Sequence, residues 1–144
     1  MPKSTNTCNK LLLLVFNAVG WANIADNAAT SPLTNLYVSL HYADPGVGNS
    51  QLTNEASAYT NYARIPIVRT AGGWTVSTNT AVNAALAQFA QCGVTGATAT
   101  HVAIGTDASG AGNVLYAGQL NSPLAIALNI QPQFAATGLV VTES

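Results

Sequence analysis

The chain has 144 residues, of which only 6% are charged: four are Lys or Arg and five are Asp or Glu, for a net charge of -1. Ordinary soluble proteins carry about 25% charged residues. There is accordingly no basic footprint for nucleic acid and no acidic field for a cationic substrate. What remains to face water is largely Ser, Thr, Asn, Gln, Gly and Ala. Such a surface loses little ionic hydration when another protein covers it, which suggests a subunit made to be enclosed by neighbours. The length suits one domain with its own core, so residues 1–144 read as a single unit.

The first segment, "MPKSTNTCNKLLLLVFNAVGWANIADNAA", combines two lysines with an apolar run in the manner of a secretory signal. Asn17 and Asn23 interrupt that run, and it is too short to cross a bilayer. Its spacing predicts a helix over about 8–27, capped at Thr7 or Asn9 and ended between Asn27 and Pro32. Leu11, Leu14, Val15, Ala18, Ala22 and Ala25 form one stripe, and Leu12, Phe16 and Val19 form a second beside it. That arc is wider than one sheet surface usually covers. Either the helix packs wholly on its own domain, or it also meets a neighbouring subunit, for which Leu11, Leu12, Val15, Phe16 and Val19 are the candidate contacts.

Beyond Pro32 the period changes to two, and about 35–144 reads as a β-sandwich. In "NLYVSLHY", Leu36, Val38, Leu40 and Tyr42 alternate with Tyr37, Ser39 and His41, the pattern of a half-buried strand. "ADPG" then predicts a turn opened by Asp44. "YTNYARIPIVRT" reads as a strand that Pro66 confines to an edge or a bulge. A glycine turn leads to a short strand from Trp74, and "NTAVNAALAQFAQ", ambiguous between helix and strand, is assigned to strand. "TATHVAIG" and "NVLYAGQL" flank the glycine-rich "TDASGAG" as a hairpin. "LAIALNI", a break at "QPQF" and "GLVVTE" complete seven or eight strands. The fold class expected is mainly β, an antiparallel sandwich or jelly roll behind an N-terminal helix.

Chemical motifs are missing: the chain has no dinucleotide fingerprint, P-loop, HExxH or GxSxG. His41 and His101, with so few acids, fall short of a metal set, and one aspartate in "TDASGAGN" is too little for calcium. His41 and Asp44 stand close in sequence without a nucleophile motif beside them. No catalytic residue, cofactor or metal is expected, and the chain does not read as an enzyme. Cys8 and Cys92 have no framework spacing and read as free thiols, in keeping with assembly in a reducing cytosol.

Three stretches carry a family resemblance: "ANIADNAATSPLTNLYVSLHYADPG", "NEASAYTNYARIPIVRTAGGWTVS" and "THVAIGTDASGAGNVLYAGQL". From about Leu11 onward the chain resembles a family of tailed-bacteriophage virion proteins often labelled tail-fibre-like. It is similar as well to jelly-roll cement, or decoration, proteins. The resemblance implies a protein on the exterior of the capsid that binds the major capsid protein and itself, as a dimer or trimer. It would stabilise contacts between capsid subunits without touching nucleic acid or membrane. The alternative is a tail or tail-fibre component, with host-surface binding among its roles; on either reading assembly takes place in the host bacterial cytoplasm.

Overall fold

The computed structural model of the chain describes residues 5–20, 32–46 and 50–144. Among these, one helix and nine strands follow in the order α1-β1-β2-β3-β4-β5-β6-β7-β8-β9. The protein is mainly β, with antiparallel sheets, one short N-terminal helix and no barrel, which is consistent with a β-sandwich. The chain forms two compact units. The first comprises Met1–Asn35, Ile67–Ala87 and Phe134–Ser144; the second comprises Leu36–Pro66 and Gln88–Gln133.

In the first unit, α1 (Thr5–Asn17) brings Cys8, Leu12 and Phe16 onto one line at intervals of four, and all three are buried. The helix packs on β3 (Trp74–Ser77) and β4 (Thr80–Asn83). The Phe16 ring meets the Trp74 indole edge-on, with centroids 4.6 Å apart. The helix starts earlier than the capping residues suggest and ends well before residue 27. Ala18 enters the left-handed region at φ 54°, and the Val19 N–H turns back to the Leu13 carbonyl at 3.1 Å. Arg69 then takes the carbonyls that a continuing helix would have used. Its Nε donates to Val15 and its Nη2 to Leu14, both at 2.7 Å, while Nη1 donates to Leu33 at 2.8 Å. Ala22 and Ala25, the far end of the anticipated stripe, lie outside the described residues.

β3, β4 and β9 (Val140–Thr142) form a three-stranded antiparallel sheet in that order. Buried Asn83 at the end of β4 ties the turn before β9 to this sheet. Its Nδ2 donates to the Ala85 and Ala135 carbonyls, and its Oδ1 accepts the Leu139 N–H, each at 2.8 Å.

The larger sheet has the order β2-β1-β6-β7. β2 (Ile65–Val68) stands at its edge, where the missing N–H of Pro66 breaks no ladder. β1 (Asn35–His41) runs antiparallel to β6 (Ala97–Gly105), from Tyr37 opposite Gly105 to His41 opposite His101. The alternation in β1 predicted one solvated face, but Val38 to His41 are buried without a break. At this end of β1 the 54–56 segment pairs alongside: Tyr42 N–H bonds to Asn54, Ala56 N–H bonds to Leu40, and Glu55 bridges to His41. β7 (Val114–Ile126) is one strand of 13 residues where the sequence suggested a strand and the start of another. It stays continuous because residues 120–123 bulge out opposite Thr100, after which Leu124 to Ile126 rejoin β6. "QPQF", read as a break, supplies β8 (Gln133–Phe134), which pairs with β5 (Ala87–Gln88).

Candidate functional site: a sealed polar core under an exposed hairpin

The second unit buries charge in a chain that has almost none. Glu55 and Arg64 form a two-pronged ion pair, Nε to Oε1 at 2.7 Å and Nη2 to Oε2 at 2.8 Å. Their side chains are only 4% and 2% exposed. The Tyr62 hydroxyl donates to Glu55 Oε1 at 2.7 Å and accepts the Leu40 N–H at 3.2 Å. Burial, together with the adjacent carboxylate, pushes the Tyr62 phenol far above its usual range. The hydrogen bond to Glu55 holds the Arg64 guanidinium more firmly protonated than usual.

The remaining donors of Arg64 reach the β6–β7 connection, at the Asp107 and Gly110 carbonyls, both 2.8 Å away. Gln51 secures the same loop. Its N–H donates to Ala111 at 2.6 Å and its Oε1 accepts the Asp107 N–H at 2.9 Å. Glycine is required where the loop closes over this side chain: a Cβ on Gly105 would stand 2.2 Å from Gln51 Cδ, and one on Gly112 2.1 Å from Oε1. Gly112 also has φ +43°. Asp107 to Ala111 are exposed above this floor. The arrangement presents a hairpin tip in one shape.

Ser39 and His41 place a hydroxyl 2.9 Å from Nε2. His41 Nδ1 lies 2.8 Å from the Thr53 carbonyl, which can only accept. Nδ1 therefore carries the proton and Nε2 accepts from Ser39, an assignment made from the network. Burial is the main cause that lowers the His41 pKa; the Thr53 bond and the Glu55 charge act the other way. The pair has the outline of a nucleophile with its base, but both residues are 0% exposed and the third member is a backbone carbonyl. A nucleophile needs a reachable oxygen and an approach for substrate. Here the contacts satisfy buried polar atoms. Asp44 is not part of this pair: its Oδ1 accepts the Gly46 N–H at 2.8 Å and shapes its own turn. His101 Nδ1 donates to the Thr100 hydroxyl at 2.9 Å, which itself donates to the Tyr42 carbonyl at 2.8 Å. Among the described residues, no three His, Cys, Asp or Glu side chains are grouped to hold a metal ion. Nor is any helix among them long and apolar enough to cross a membrane.

With neither an accessible reactive pair nor a metal set, the comparison with known families carries the identification. Residues 4–142 match the family described as Podophage GP4 fiber I protein gp80. The chain belongs to that family. The match makes it a phage virion structural protein and supports a structural rather than catalytic role. No curated protein matches the chain.

In this fiber I family member the helix residues nominated from sequence divide by burial. Leu12 and Phe16 are wholly enclosed in their own unit, Leu11 and Val15 are half-buried, and Val19 is 47% exposed. Of the nominated residues, α1 thus leaves Leu11 and Val15 partly uncovered, and Val19 lies in the turn past its end. Sequence reasoning missed Gln51, Glu55, Tyr62 and Arg64 as a cluster. One signal was present: Glu55 and Arg64 are the only two charges of opposite sign within the tyrosine-rich "NEASAYTNYAR". Cys8 and Cys92 are free and buried, as their spacing suggested.

Proposed function

We propose that this chain is a non-enzymatic subunit of a fibre carried by a podophage particle. The observation that carries the reading is the family match across residues 4–142, whose description names a fiber protein. The hairpin held by Arg64 and Gln51 supports it, since a fibre subunit must present fixed contacts rather than turn over substrate. A second reading is a capsid cement protein that binds the major capsid protein from outside and stabilises contacts between its subunits. It is favoured by the scarcity of charge, because a nearly ion-free exterior is cheap to bury against several neighbours. Copy number separates the two. Quantified gel bands and a reconstruction of purified particles should place the chain in few copies at the tail or a unique vertex. Density repeated over the whole capsid lattice would establish cement instead, and absence from particles would refute both.

A further inference from the structure

Segment 50–56 carries both holds on the exposed hairpin. Gln51 binds it directly, through its N–H to the Ala111 carbonyl and its Oε1 to the Asp107 N–H. Glu55 holds Arg64, whose other donors take the Asp107 and Gly110 carbonyls. Midway between the two, the Thr53 carbonyl accepts from His41 Nδ1 at 2.8 Å. Of these side chains, His41 is the one that ordinarily takes a proton near neutral pH.

The enclosure around His41 suits the neutral ring alone. Its Nε2 accepts from the Ser39 hydroxyl, and both residues are 0% exposed. A proton on Nε2 makes it a donor, so the Ser39 hydrogen must turn away from it. Among the described residues the Ser39 side chain has no second hydrogen-bond partner, and that hydrogen is then buried unpaired. The charged and titratable groups that face the ring are Glu55 and Arg64 from the 54–64 stretch and His101 from β6. Asp44, in the turn after β1, and Asp107, in the hairpin, are exposed to solvent. Glu55 favours a charged ring, but both its oxygens are already bound by Arg64 and one also by Tyr62. A charged His41 therefore sets a second cation near Arg64 in a place closed to water, where repulsion is poorly screened.

We propose that His41 is a proton-operated catch on the hairpin: once its ring is charged, Thr53 is released, segment 50–56 loosens, and Asp107 to Ala111 lose their fixed shape. This gives a control to the contact surface named under the fibre reading and rests on that reading.

Amide exchange of the full chain between pH 7.5 and 5, corrected for the intrinsic rate at each pH, tests this. The N–H groups of Gln51, Ala56 and Asp107 go to Ala111, Leu40 and Gln51 Oε1, so the three should open together. Their protection should fall about tenfold on acidification and recover when the pH is restored. At both ends of the range it should stay below that of Ala103, which lies in β6 between two paired strands and reports global unfolding. In His41→Gln, which keeps a donor for Thr53 and an acceptor for Ser39, the fall should vanish. Protection that ignores pH, protection equal to that of Ala103 throughout, or a fall that persists in folded His41→Gln would each overturn the inference. The unaltered chain decides the first two whether or not the variant folds. The particle gel reads the virion role separately: a chain present in virions with a hairpin indifferent to pH refutes the catch alone.

Discussion

At the scale of single residues, stability concentrates where the few charges are spent. Glu55 answers Arg64 with both oxygens and also receives the Tyr62 hydroxyl, all away from water. Removing one member of such a pair strands the other, at a cost of about 3–5 kcal/mol. Glu55→Gln should therefore lower the denaturant midpoint steeply, whereas Asp107→Asn, at an exposed position in the hairpin, should leave it nearly unchanged. His41 predicts a pH dependence. Its folded pKa lies below the ordinary value of 6.5, so between the two values the unfolded chain binds more protons. The contribution of His41 to stability is then complete above about 6.5 and is lost as pH falls through the folded pKa. Thermal melts from pH 7.5 to 5 should drop accordingly, and His41→Gln should flatten that slope.

At the scale of elements, α1 depends on an arginine more than fifty residues away. Arg69→Met leaves the Leu14 and Val15 carbonyls without their charged donor, and hydrogen bonds to charged groups contribute about 1.5–3 kcal/mol each. The expected result is a lower melting temperature with reduced helical ellipticity. The same helix separates packing from partner contact. Phe16→Ala empties the space beside Trp74 and should cost about 3–5 kcal/mol. Val19→Asp changes an exposed position, and its melting temperature should stay close to the native value. A fall in virion incorporation for Val19→Asp alone would establish that the turn after α1 meets a neighbour; normal incorporation would show that it makes no such contact.

At the scale of the whole molecule, the scarcity of charge sets how it should respond to solvent. Screening acts on exposed ions, and this chain has few to screen. Attachment to the particle should therefore survive molar salt, measured as protein retained on particles after a high-salt wash. Release by salt alone would show that ionic contacts dominate.

What the sequence determined by itself was local in origin. The period-two pattern of β1, the proline that sends β2 to an edge and the glycine-rich hairpin between β6 and β7 follow from chain chemistry within a few residues. The free thiols were equally legible. Tertiary structure decided what depends on distant partners. It ended α1 at Asn17 by bringing in Arg69, and it buried Val38 to His41 on both faces of β1 where alternation left one face to solvent. It also put Glu55, Arg64 and Gln51 beneath a loop that lies far along the chain. Neither propensity nor periodicity encodes who covers a face or which carbonyl a cation reaches, because those contacts exist only once the chain has folded back on itself.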